Sequence, residues 1–399
     1  MSMSSPATQS FEPSSIYAQR LQVAFDYPVV FTRDLFALDN QVLCEVLRRR
    51  EPERRHRICV FIDSGVYAAF PDLPSAISRY ADRYCEHIQL VAAPKIVVGG
   101  EQAKRDATLL EETLQHLHAQ RMDRQSYVVI IGGGAVLDAV GYAAAIVHRG
   151  LRTVRIPTTV LAQNDAGIGV KNGVNAFGAK NFLGTFCPPF AVINDSAFIA
   201  TLSERDRRAG IAEAVKVALI RDPVFFGWLE HHVQDMRDGD EEAMAYMIRR
   251  GAELHLRHIA EAGDPFELGT ARPLDFGHWA AHRLEAMTDH ALRHGEAVAI
   301  GMAVDSLYSH LSGLLEHSEL LRILNVLTGL GFTLAVPELL ATDESGELTV
   351  LHGLREFQEH LGGELTLTLL RKVGRGEEFT DIAKDTMETA IRQLSRMES

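Results

Sequence analysis

Short apolar runs, each separated from the next by a helix-length segment and ending near residue 200, constrain this chain more than any other feature. RICVFID (57–63), HIQLVAA (87–93), YVVIIGGG (127–134), TVRIPTT (153–159) and FAVIND (190–195) read as strands. Their spacing implies βαβ units and a mostly parallel sheet. From about Thr201 the texture changes: Leu, Ala, Glu and Arg dominate, and one late β-like piece remains at LTLTLL (365–370). TLSERDRRAG opens this half, with Ser203 and Asp206 at capping-box spacing. The expected organisation is a Ser/Pro-rich disordered tail over 1–20, an α/β domain over 21–200 and a helical domain over 201–399.

Composition limits the partners. The 399 residues carry a net charge of −13, with 46% apolar and 23% charged residues. An acidic soluble chain of this kind disfavours nucleic acid or an anionic membrane as its main partner, so an anionic substrate must meet a local basic cluster. The most apolar stretch, Tyr127 to Val147, is broken by glycines and Asp138, so no membrane span is expected. The first residues lack the basic and apolar regions of a signal peptide. Cys44, Cys59, Cys85 and Cys187 have no framework spacing, which suits core thiols in a reducing compartment, the cytoplasm. The run RRREPERRHR (Arg48 to Arg57) is interrupted by Glu51, Pro52 and Glu53 and reads as a solvated loop before a strand.

Three segments carry chemistry. In YVVIIGGGAVLDAV, a strand enters Gly132, Gly133 and Gly134 and then a helix, where backbone N–H groups can meet a phosphate; a plain tight turn would look the same. Asp63 ends an earlier strand, where an acid can accept from ribose hydroxyls or simply sit in a turn; Glu101 and Lys104 in GGEQAK are equally open. RIPTTVLAQNDAGIGVKNGVNAFGAKN gathers Thr158, Thr159, Asp165, Lys171, Lys180 and Asn181 in one glycine-rich loop region, a plausible phosphate grip or a pair of solvated lysines. Glu213 in AEAVK, His278 in FGHWAAH and His294 in RHGEAV could hold a divalent metal and leave a fourth position open, as a catalytic zinc requires. Lys216 shares a helix face with Glu213, either as a salt bridge or as a group touching substrate. His282 shares one with His278.

Taken in order, GGGAVLD, IPTTVLAQNDAGIGVK, GAKN, LSERDRRAGIAEAVK, FGHWAAH and HGEAVAIGM resemble the sugar phosphate cyclases, the 3-dehydroquinate synthase-like proteins, over roughly residues 55 to 375. That resemblance implies a Rossmann-like NAD-binding α/β domain followed by an all-helical metal-binding domain, with the site in the cleft between them. It implies NAD contacts at Asp63, Glu101, Lys104, Gly133, Gly134, Asp138, Thr158, Thr159, Thr201 and Leu202. The same resemblance gives zinc (or cobalt) ligands at Glu213, His278 and His294. It places Asp165, Lys171, Lys180, Asn181 and Lys216 around the substrate and His282 near the reacting oxygens. Arg149 is implied to reach phosphate across a homodimer. Departures occur where dehydroquinate synthases carry Asn in LNxGH, here Asp275 in LDFGH, and where they carry a pocket lysine, here Arg257. The arginine that binds their substrate carboxylate falls on Ala271, with Arg272 one step away, and a late lysine falls on His360. Asp275 and His360 resemble the sedoheptulose 7-phosphate cyclases such as 2-epi-5-epi-valiolone synthases, whereas His282 resembles the dehydroquinate synthases.

The implied reaction is redox-neutral: transient oxidation of a ring hydroxyl by NAD, phosphate elimination, re-reduction, ring opening and aldol closure. The missing arginine at Ala271 points to a substrate without a carboxylate. The expected activity is therefore carbocycle formation from sedoheptulose 7-phosphate, with 3-deoxy-arabino-heptulosonate 7-phosphate as the alternative substrate. A metal-dependent alcohol or glycerol dehydrogenase and a non-catalytic scaffold are the competing classes.

Overall fold

The computed structural model describes residues 17, 19–21, 23–177, 179–261, 266 and 273–397. The expected tail falls largely outside these residues, as do Ala271 and Arg272.

The first half contains β1 (Val29–Thr32), α1 (Val42–Arg48), β2 (His56–Asp63), α2 (Ser64–Ala69), α3 (Leu73–Arg83), β3 (Ile88–Leu90), β4 (Lys95–Val97), α4 (Gln102–Arg105) and α5 (Ala107–Ala119). It continues with β5 (Tyr127–Gly132), α6 (Gly134–Ile146), β6 (Arg152–Pro157), β7 (Lys171–Ala176), β8 (Ala179–Phe186) and β9 (Ala191–Asp195). Seven of the strands form one parallel sheet in the order β1-β9-β6-β5-β2-β3, with β4 also on β2. The apolar runs are unbroken because both faces are covered. Ile58, Val60, Ile62, Val129 and Ile131 pack into one core, and Cys59, Phe61, Val128 and Ile130 into the other.

Two details depart from the sequence reading. The lysine-bearing segment is not one loop: β7 and β8 form a separate antiparallel hairpin, with Lys171 opening β7 and Lys180 and Asn181 on β8. β8 is exposed along nearly its whole length, so it never acquires the alternating apolar pattern that marks a half-buried strand. The helical half also carries a two-stranded ribbon.

That half comprises α7 (Glu204–Arg221), α8 (Pro223–His231), α9 (Val233–Asp238), α10 (Glu241–Glu261), α11 (His278–Met287), α12 (His294–Leu311), α13 (His317–Gly329) and α14 (His352–Leu361). The ribbon of β10 (Leu367–Lys372) and β11 (Arg375–Phe379) follows, and then α15 (Lys384–Met397). Ser203 caps α7 as its spacing anticipates, its Oγ accepting from Asp206 N at 3.1 Å. α7 and α12 are buried nearly all round, at the centre of one large core with α11 and α15.

Backbone contacts set how closely these helices approach. A Cβ on Gly295 would lie 1.7 Å from Ala209 O, so α12 rests on the main chain of α7. A Cβ on Gly301 would lie 2.0 Å from the carbonyl of Gly277, the residue before α11, which itself has φ +78. An added methyl at Gly295 has only backbone to push against, and overpacking of this kind costs about 1–3 kcal/mol. Gly295→Ala is therefore expected to lower the unfolding free energy by that amount, read as a lower urea midpoint, and to reduce bound metal in the folded fraction; a variant with unchanged midpoint and metal content would refute this account of the packing.

Candidate active site

The carboxyl ends of the parallel strands gather the first group of residues, where such sheets bind nucleotides. Asp63 ends β2, is buried, and accepts from Gly65 N at 2.7 Å as the cap of α2. Gly99 lies so close to this carboxylate that a Cβ there would sit 2.0 Å from Oδ1. Gly133 caps α6 and Gly134 is its first residue, so the N–H groups of that helix's first turn point to the same edge. Thr158 N donates to Gly132 O at 3.0 Å, which joins the ends of β5 and β6, and Thr159 follows directly. Glu101 Oε2 is buried and finds no hydrogen-bond partner among the described residues. Thr201 and Leu202 close a 3-10 turn (Ser196–Thr201) just before the α7 cap.

A second group ties the sheet to the hairpin. Lys104 Nζ lies 2.5 Å from Asp138 Oδ2 on α6 and 2.9 Å from Asn181 Oδ1 on β8. Burial works against its ammonium, but Asp138 beside it holds Lys104 above the ordinary lysine range. Asp165 sits on a π-helical turn (Ala162–Ala166), a local form often found at functional sites. It pairs with His255 Nδ1 of α10 at 2.9 Å. Burial raises this carboxyl, but His255 and Lys216 outweigh it and the net direction is down. Arg155, fully buried in β6, donates to the carbonyls of Gly167 (3.2 Å), Gly169 (2.8 Å) and Lys171 (3.0 Å) and to Asn172 Oδ1 (2.7 Å). One guanidinium thus fixes the chain between Asp165 and Lys171.

The third group is the carboxylate and two imidazoles. Glu213 Oε1, on α7, stands 3.6 Å from His278 Nε2 on α11 and 3.6 Å from His294 Nε2 on α12. Two ligands held at ~2.0–2.1 Å on a tetrahedral zinc stand about 3.3 Å apart, so the trio matches such an ion with little adjustment. Glu213 Oε1 is buried and accepts no hydrogen bond from the described residues, which suits a metal-facing oxygen. The far nitrogen of each ring is occupied. His278 Nδ1 donates to Phe276 O at 3.2 Å, and His294 Nδ1 to Glu285 Oε2 at 3.0 Å. This arrangement leaves both Nε2 atoms directed at one point.

Burial and neighbouring charges act on each member of the trio. Burial favours a neutral Glu213, but the adjoining Lys216 ammonium holds its carboxyl well below the carboxylate range. Burial and then Lys216 push His278 far down, keeping it neutral. Burial also opposes charge on His294, yet Glu285 and Glu213 on either side raise it to about 9. Lys216 is itself buried; despite that desolvation, Glu213, Asp165 and Asp275 raise it.

His282 lies one turn beyond His278, its ring 5.5 Å from that of His278 and 6.1 Å from that of His294. Asp275 ends a 3-10 turn (Pro273–Asp275) close enough to act on Lys216. Arg257 faces solvent on α10 with Glu261 4.0 Å away, and the residue of that helix reaching the site is His255. Arg149 is exposed just past α6, at φ +64. His360 belongs to α14, but its side chain, like Arg272, lies outside the described residues.

Three residues of the site went unread in the sequence besides His255: Arg155, Glu285 and Asp305. Glu285 follows His278 and His282 on the same face of α11, a stripe that could have revealed it. Asp305 on α12 accepts from Gly277 N at 2.9 Å and Trp279 Nε1 at 2.8 Å, and so holds the start of α11 and with it His278.

Two family models match in succession: "3-dehydroquinate synthase N-terminal" over residues 95–209 and "3-dehydroquinate synthase C-terminal" over 210–349. The 3-dehydroquinate synthase of Halorhodospira halophila is 36% identical over 343 residues, covering 83% of this chain and 94% of that one. Among solved structures, the 2-epi-5-epi-valiolone synthase of Streptomyces hygroscopicus subsp. jinggangensis, with NAD+ and Zn2+ bound, superposes with a TM-score of 0.82 at 30% identity, covering 96% of this chain and all (100%) of that one. A 2-deoxy-scyllo-inosose synthase complexed with carbaglucose-6-phosphate, NAD+ and Co2+ shares the fold, at a TM-score of 0.73 and 22% identity over 92% of this chain and 96% of that one. The fold is that of the sugar phosphate cyclases. Within that class, the chain belongs to the 3-dehydroquinate synthase family. No helix among the described residues is long and apolar enough to cross a membrane.

Burial pushes the Asp305 carboxyl up to about 7, against the two N–H groups that donate to it. An acid raised above its ordinary value of 3.8 penalises the folded state once it ionises, so its cost grows from the usual carboxylate range to about pH 7. Asn cannot ionise. The thermal stability of the native protein relative to Asp305→Asn is therefore expected to fall between about pH 4 and pH 7; a gap that stays constant across that range would show that Asp305 does not titrate there.

Proposed function

We propose that this protein is an NAD- and zinc-dependent cyclase that converts a 7-phosphorylated heptulose, sedoheptulose 7-phosphate, to a carbocycle with loss of phosphate. Asp275 beside Lys216 carries the choice of substrate. A carboxylate at this position repels a second carboxylate and accepts from hydroxyls, so it favours a polyol sugar over a sugar acid. Ala271, which provides no cation, supports the same choice.

Glu213, His278 and His294 would hold the metal, and the Asp63, Glu101, Gly133, Gly134 and Thr158 edge would hold the dinucleotide. When bound, these groups supply polarisation of a ring hydroxyl and acceptance and return of its hydride. The chain's own residues do the rest. Lys171 and Lys180 on the hairpin, with Arg149 of a second subunit, bind the phosphate as point charges or as a bidentate fork. Asn181, tied to Lys104, orients the sugar. Asp165 and Asp275 accept from its hydroxyls. Lys216 stabilises negative charge at the oxidised carbon's oxygen, which acidifies the neighbouring C–H so that the phosphate can leave, its own oxygen serving as a base. His282 stands where a proton can be passed between hydroxyls. Free thiols at all four cysteines suit a reducing cytoplasm.

The 36% identity to a 3-dehydroquinate synthase favours a second reading, with 3-deoxy-arabino-heptulosonate 7-phosphate as substrate. Phosphate release is measured with both sugars side by side, with NAD and zinc. The expected outcome is release from sedoheptulose 7-phosphate, with no accumulation of NADH. Turnover of the carboxylated sugar alone would replace the proposal by the second reading. Net NADH from a simple polyol without phosphate release would mark a dehydrogenase instead.

A further inference from the structure

Glu285 is one of the residues of the site that neither the sequence motifs nor the proposed chemistry uses. It is buried on α11, and its two oxygens do different things. Oε2 accepts from His294 Nδ1 at 3.0 Å, behind the nitrogen that faces Glu213. Oε1 accepts from Lys180 Nζ at 3.1 Å, a residue of the exposed strand β8. Lys180 in turn lines an open pocket of about 390 Å³ with Arg105, Asn175, Phe177 and His290, so two basic side chains border it. One carboxylate therefore connects the back of His294 to an ammonium group that borders this pocket.

We infer that Glu285 is a positioning residue that links metal binding at His294 to anion binding at Lys180, each favouring the other. The inference rests on the metal site of the proposed function. Its direction follows from the sharing. While Lys180 sits on Oε1, part of the carboxylate's charge is neutralised, and the His294 N–H faces a weakened acceptor. An anion in the cavity draws Lys180 away. The whole carboxylate charge then acts on His294 Nδ1–H, which makes Nε2 a stronger electron donor. In reverse, a cation held by Nε2 strengthens the Nδ1–H bond to Glu285, loosening its hold on Lys180 and leaving that ammonium available to the anion. Linkage requires the two effects to be equal.

The test measures zinc dissociation from the full-length protein by competition with a fluorescent chelator, with and without inorganic phosphate. Native protein, Glu285→Gln, Glu285→Asp and Lys180→Met are compared. In the native protein, phosphate is expected to tighten zinc several-fold. Glu285→Gln should weaken zinc by about 10–100-fold, the usual effect of losing a partner behind a metal ligand, and should abolish the phosphate response. Glu285→Asp should recover part of both. Lys180→Met should bind zinc at least as tightly as the native protein and show no phosphate response, a combination that general damage to the site would not give.

Lys180 is partly exposed, so its variant reads the linkage even if Glu285→Gln fails to fold. Zinc affinity unchanged in Glu285→Gln, or a phosphate response retained in Lys180→Met, would overturn the link while leaving the proposed function intact. Native protein that binds no zinc would overturn both.

Discussion

The trio of Glu213, His278 and His294 depends on main chain touching main chain. α12 meets α7 at Gly295 and Ala209, and the turn into α11 meets α12 at Gly277 and Gly301. No side chain separates these backbones, so Glu213, His278 and His294 are placed by the packing of three rigid helices. Buried polar contacts then remove the freedom that remains. Asp305 fixes the first turn of α11, while Phe276 O and Glu285 fix the two ring orientations. Sites carried on regular elements in this way hold geometry more closely than sites carried on loops.

The second layer of organisation is electrostatic. The protein is acidic overall, yet its site alternates sign over short distances: Asp138 with Lys104, Glu285 with Lys180, Glu213 with Lys216, Asp165 with His255. In each of these pairs the opposite charge offsets the cost of taking the group out of water. Every one of these pairs joins different elements except Glu213–Lys216, so together they also fasten the sheet, the hairpin and the helices to one another.

Legibility in the sequence followed burial. β2, β5, β6 and β9 are central strands covered on both faces, and their apolar runs announced them. β1 and β4 are too short to show a period, and β8 is exposed, so the hairpin read as loop. Glu213, His278 and His294 stood out as ligand-type residues in helical segments, with Lys216 and His282 at one-face spacing to two of them; Asp63 and Lys104 stayed open between two readings, and Asp138 came only from the family resemblance. His255, Arg155 and Asp305 were not: each acts on a partner far away in sequence, and nothing local distinguishes it from an ordinary helix or strand residue. Arg257 shows the converse, since a neighbour of the right type on the right helix can still project to solvent.

Arg155 has a consequence for how such a protein can diversify. Its guanidinium is hydrogen-bonded not to a carboxylate but to three backbone carbonyls and one amide oxygen of the segment leading into β7. Carbonyls exist whatever the side chains are, so the path of that segment is specified from inside the sheet rather than by its own residues. Drift in the segment's side chains can retune the grip on phosphate without altering its shape. An insertion or deletion there would strand a buried cation. New substrate preferences should therefore arise by substitution along this segment rather than by changes in its length.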